Sequence, residues 1–114
     1  MYTCPICGYK TFSEPPGGYE ICPVCGWEDD VAQLRFVESI GANKVSLIEA
    51  QQNFKVVGTS DPAKAPRAPI DTSIFERDPQ WRPFDAIKDK IETPNPDVDY
   101  GNTYPSESTT LYYW

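Results

Sequence analysis

Two Cys-x-x-Cys pairs stand near the N-terminus, Cys4-Pro5-Ile6-Cys7-Gly8 and Cys22-Pro23-Val24-Cys25-Gly26, with fourteen residues from Gly8 to Ile21 between them. They hold every cysteine of the 114-residue sequence. Two residues between cysteines let both sulfurs of one tight turn aim at a common centre, where backbone amides can donate to the thiolates. A glycine after each second cysteine keeps the turn free of a side-chain clash. The pattern points to one tetrahedral metal ion held by Cys4, Cys7, Cys22 and Cys25 rather than to disulfides. With no histidine in the chain, four sulfurs close the tetrahedron and leave no position for water, which in zinc proteins marks a structural site. Zinc is the expected ion. Iron is the competitor, because four-sulfur tetrahedral geometry suits both.

A chain of this length forms one small domain with a modest core, and a metal supplements its apolar burial. No basic leader followed by an apolar run opens the sequence, and no stretch approaches a membrane span, so a soluble cytoplasmic protein is expected. The formal net charge is −7, and four ligating thiolates around a divalent ion make it about −9. Ten basic residues scattered among seventeen acidic ones argue against a nucleic-acid partner, which needs clustered Lys and Arg. A basic protein surface is the easier partner.

The fold class expected is small α+β: a zinc-ribbon or rubredoxin-like β-hairpin knuckle, one or two helices, and a Pro-rich, irregular C-terminal half. Tyr9 to Phe12 and Tyr19 to Ile21 read as the two strands of a hairpin across the Glu14-Pro15-Pro16-Gly17-Gly18 turn. Glu28, Asp29 and Asp30 read as the acidic first turn of a short helix carrying Val31, Leu34 and Val37. Ser46 to Val57 is the clearest helix, with a Ser46/Glu49 capping box, Gly58 as its stop, and Leu47, Ala50, Phe54 and Val57 as its buried face. It is expected to pack on the knuckle and cover Trp27 and Tyr19. These features divide the chain into a knuckle domain over 1–58 and a Pro-rich extension over 59–114. A shorter helix is expected over Pro83 to Ile91, with Phe84, Ile87 and Ile91 on one face. Trp81, Trp114, Tyr100, Tyr104, Tyr112 and Tyr113 are expected to wrap the body and complete its core.

Cys-x-x-Cys-Gly-Tyr followed by Cys-Pro-Val-Cys-Gly resembles the knuckles of rubredoxin and of the rubredoxin-like domain of rubrerythrin. That resemblance implies iron and one-electron transfer. A wider one spans roughly residues 2 to 58. It takes in Cys4-Pro5, Cys7-Gly8-Tyr9-Lys10-Thr11, Tyr19 to Cys25, Trp27 to Asp30, Gly41-Ala42-Asn43 and the Asn53-Phe54 helix. Over this length the chain is similar to the bacterial cysteine-rich CPCC family. Ile6 stands where the extra cysteine of the Cys-Pro-Cys-Cys run would be, and the four-cysteine set remains intact. The resemblance strengthens the zinc reading and carries no activity with it.

Without histidine, a nucleophile elbow or a phosphate-binding loop, nucleophilic and phosphoryl chemistry have little support. The expectation is a protein-interaction module, with an inhibitor or immunity-type partner of a basic protein as its concrete form. An iron electron-transfer module is the alternative. A carboxylate-dependent hydrolase using Glu28, Asp29 and Asp30 is the weaker one.

Overall fold

A computed structural model describes residues 1–64, 71–89 and 91–98. Strand β1, Tyr2–Thr3, pairs antiparallel with β2, Lys10–Phe12, and the register slips between Tyr2 and Thr3. The first Cys-x-x-Cys turn is the connection between them, so this knuckle closes its own ribbon. The second does the same on a smaller scale, through an isolated bridge between Ile21 and Glu28. Tyr19 N–H donates to the Asp29 carbonyl, and Asp29 N–H to the Glu20 carbonyl.

The expected hairpin between Tyr9–Phe12 and Tyr19–Ile21 is therefore corrected: each segment pairs with the far side of its own knuckle. Each Cys-x-x-Cys turn already reverses the chain, so the Pro15–Gly18 turn does not have to. That turn is fixed instead by the Asp29 carboxylate, whose Oδ2 accepts from Gly17 N–H at 3.0 Å and Gly18 N–H at 3.2 Å.

Helix α1 covers Val31–Arg35. Asp30 is its N-cap and accepts from Ala32 N–H at 2.9 Å, so the acidic run precedes the helix rather than forming its first turn. Helix α2 covers Leu47–Val57. Ser46 accepts from Glu49 N–H, and Gly58, at φ 76°, closes the C-terminus by donating to the Phe54 carbonyl. Its buried face is Leu47, Ala50 and Gln51, with Phe54 packed at the margin, while Val57 is exposed. Val57 lies in the last turn, past the edge of the body.

Between the helices, the loop over residues 39–45 is held by buried polar groups. Gln33 donates to the carbonyls of Ser39 and Val45, and its Oε1 accepts from Asn43 N–H and Nδ2 at 2.9 Å each. Asn43 also bridges both backbone groups of Glu28. The loop is thereby tied to the second knuckle.

The core contains all four cysteines together with Ile6, Phe12, Trp27, Leu34, Val37, Leu47 and Ala50. Trp27 is buried as expected, whereas Tyr19 stays exposed at the open end of the second ribbon, away from its cysteine turn. The expected helix over Pro83–Ile91 is absent from the described residues. A single turn forms there, with Asp89 N–H on the Asp85 carbonyl, and Ile87 is left in solvent. Asp85 Oδ1 accepts from Ile87 N–H, and Arg82 clasps Asp89 bidentately at 2.6 Å, so local side chains fasten this turn without a propagated helix. Phe84 packs against the core. A one-turn 3-10 helix, Thr72–Ile74, precedes it. Trp114, Tyr100, Tyr104, Tyr112 and Tyr113 lie outside the described residues. No helix among the described residues is long and apolar enough to cross a membrane.

Candidate metal centre

The two knuckles are built to one plan. In the first, Cys4 N–H donates to the Tyr9 carbonyl at 2.9 Å and Gly8 N–H to the Cys4 carbonyl at 3.0 Å. In the second, Cys22 N–H donates to the Trp27 carbonyl and Gly26 N–H to the Cys22 carbonyl, both at 2.8 Å. Gly8 and Gly26 take the same left-handed conformation, with φ 80° and 84°. A side chain at either would be strained, which is why each second cysteine is followed by glycine.

Folding these turns against each other brings the four sulfurs within 4.8 Å of one another. Cys4 Sγ lies 3.6 Å from Cys25 Sγ, and Cys7 Sγ lies 3.7 Å from Cys22 Sγ. Disulfide sulfurs stand about 2.05 Å apart. A zinc–sulfur bond of about 2.3 Å puts the corners of a regular tetrahedron about 3.8 Å apart. These two separations match the edge of such a tetrahedron.

All four cysteines are 0% exposed, so the centre is sealed from solvent. Burial pushes the Cys4 and Cys25 thiols well above their ordinary range, and neighbouring cysteine side chains raise Cys4 further. Cys22 moves the other way, pulled down by hydrogen bonds from Cys25, Cys4, Cys7 and the Thr11 hydroxyl. A cation bound among the sulfurs would offset the burial that holds the Cys4 and Cys25 thiols up. Thr11 Oγ1 reaches Cys22 Sγ at 3.2 Å from the buried face of β2. Sequence reasoning gave Thr11 no role: strand alternation with the apolar Phe12 would turn it outward, whereas the structure buries both.

The next layer also repeats between knuckles. On the first, Arg77 donates to the Cys7 carbonyl at 3.2 Å and Asp78 N–H to the Gly8 carbonyl at 2.9 Å. On the second, Ser60 N–H donates to the Cys25 carbonyl at 2.8 Å, the Thr59 hydroxyl reaches the same oxygen at 3.3 Å, and Lys64 Nζ approaches the Gly26 carbonyl at 3.4 Å. Gln51 Nε2 and Trp81 Nε1 both donate to the Pro5 carbonyl at 2.9 Å. Gln51, Arg77 and Ser60 carry no motif, because their roles exist only once distant segments meet.

Of the acidic run, Asp29 and Asp30 are buried and committed to backbone amides, while Glu28 pairs through its backbone. Desolvation raises the Asp29 carboxyl above its usual range, opposed by its bonds from Gly17 and Gly18. The run works as a loop anchor.

Fold and site together define a small two-knuckle protein with a closed cluster of four thiols that could hold a metal ion. The chain belongs to the cysteine-rich CPCC family, whose model matches residues 2–70. The match reaches past residue 58, where the resemblance in the sequence fades. No curated protein matches the chain. Ile6, between the first two cysteines, is fully buried in the core.

Proposed function

We propose that this chain is a structural zinc module whose role is to bind another protein. The observation that carries the metal reading is the tetrahedral spacing of four fully buried sulfurs, 3.6 and 3.7 Å across the two knuckles. A closed, water-free site of this kind supplies folding energy rather than chemistry. When bound, zinc holds the two knuckles together as a cross-link. The chain's residues do the rest: glycine turns aim the sulfurs, Thr11 supports Cys22, and Trp27 and Leu47 keep water out.

The partner reading rests on the formal charge of −7 and on the commitment of Asp29 and Asp30 to structure. An acidic module with a closed metal site is suited to a basic protein surface, as in an inhibitor or immunity-type pair. Cobalt substitution tests the metal part: tetrahedral four-sulfur cobalt gives intense visible bands and thiolate charge-transfer absorption, whereas octahedral or oxygen-rich cobalt gives weak ones. Graded-salt capture tests the partner part, since charge-driven association weakens as salt rises. Recovery of no protein at low salt would contradict it. Iron shares the geometry, so a red protein that bleaches on reduction would make this an electron-transfer module instead.

A further inference from the structure

We propose that residues 76–84 form a strap across the first knuckle that sets how fast the metal centre releases its ion, with Arg77 and Trp81 as the positioning residues. The inference rests on the metal reading above and concerns residues beyond the span matched by the family, 2–70.

The strap is fastened along its whole length. Lys10 N–H donates to the Glu76 carbonyl at 2.8 Å, and Tyr9 forms a bridge with Arg77, so the segment lies against β2 as a further strand edge. Thr3 Oγ1 donates to Asp78 Oδ2 at 2.6 Å. The Arg77 guanidinium lies 5.1 Å from the Tyr9 ring centre and 5.4 Å from that of Trp81, stacked with both while it reaches the Cys7 carbonyl. The Trp81 ring lies directly over Gly8, where a β-carbon would stand 2.7 Å from Cδ2. Phe84 N–H then donates to Gln51 Oε1, and the same Gln51 amide holds the Pro5 carbonyl. Three carbonyls of the first knuckle, those of Pro5, Cys7 and Gly8, are thus capped by one segment.

A competing ligand cannot reach a sulfur that is 0% exposed unless a knuckle opens. Opening the first knuckle requires peeling the strap, because among the described residues the strap alone caps the Cys7 and Gly8 carbonyls and covers the open face of Gly8, and it shares the Pro5 carbonyl with Gln51. Metal loss then proceeds through a local opening and not through global unfolding.

The test uses the full chain loaded with zinc and a chromogenic chelator in excess, over a urea series below the unfolding transition. Trp81→Ala and Arg77→Ala are expected to release zinc on the order of 10-fold faster than the parent, with a shallow urea dependence. Leu34→Ala, a core change away from the strap, is the control: its release should accelerate only along a steep urea dependence. Trp81→Phe, which keeps a ring and loses the indole N–H, should fall between, and with Arg77→Ala it carries the test if Trp81→Ala does not fold. Strap variants that release at the parent rate, or that follow the steep dependence of Leu34→Ala, overturn the strap alone. A parent chain that takes up no zinc overturns the metal reading, and the strap with it.

Discussion

Gly8 and Gly58 both sit in the left-handed region, at φ 80° and 76°, but their surroundings differ. A β-carbon at Gly8 meets the Trp81 ring at 2.7 Å, whereas at Gly58 nothing lies within 4 Å. Alanine at Gly58 should therefore cost only the backbone penalty, about 1 kcal/mol, and alanine at Gly8 about 1–3 kcal/mol more from the displaced ring. Denaturant melts of the two variants read that difference directly. Asp29 gives a second residue-scale test. Burial raises its folded pKa, so its ionised form lowers stability at neutral pH, and this effect fades as pH falls through that raised pKa towards the ordinary aspartate value. Asn keeps an oxygen for Gly17 and Gly18 and carries no charge. Asp29→Asn should be more stable than the parent at pH 7, by up to about 1 kcal/mol. The gain should shrink on acidification. A loss at pH 7 would mean that the carboxylate's bonds outweigh its desolvation.

Helix α2 was legible in its sequence because its signals are local: a capping box, a glycine stop and apolar residues at helical spacing. Its outer margin was not, since Gln51 is buried and Val57 exposed. Periodicity places a face but does not say where the partner surface ends, and the buried Gln51 amide is bonded to the Pro5 carbonyl and the Phe84 N–H. The knuckle pairing was misjudged for a related reason. Two β-rich segments flanking a proline-glycine turn look like a hairpin, but each is already claimed by the far side of its own cysteine turn. The loop over 39–45 depends on Asn43, which is 1% exposed and bonded to Glu28 and Gln33. Asn43→Ala would take the side-chain partner from both backbone groups of Glu28, while the backbone N–H at 43 still serves Gln33 Oε1, and a loss of about 2–3 kcal/mol is expected in equilibrium unfolding. A change under about 0.5 kcal/mol would mean that water replaces the amide.

At the scale of the whole molecule, the clustering of the four cysteines was readable, because Cys-x-x-Cys spacing is itself a geometric statement about sulfurs. What closes over them was not. Arg77, Trp81 and Ser60 come from segments with no helical or strand pattern, and their hydrogen bonds to the knuckle carbonyls follow only from the tertiary path. The small core includes the four cysteines themselves, so a metal held there would form one structural unit with the apolar core, and neither is expected to persist alone. The most direct measurement is elemental analysis with native mass spectrometry on protein purified without added metal, run beside Cys22→Ser. One zinc per parent chain, with four thiols that react only after chelation, and a Cys22→Ser chain that holds no zinc and melts without cooperativity, is the result expected. A parent chain that stays folded with no metal and four freely titrating thiols would contradict the central claim.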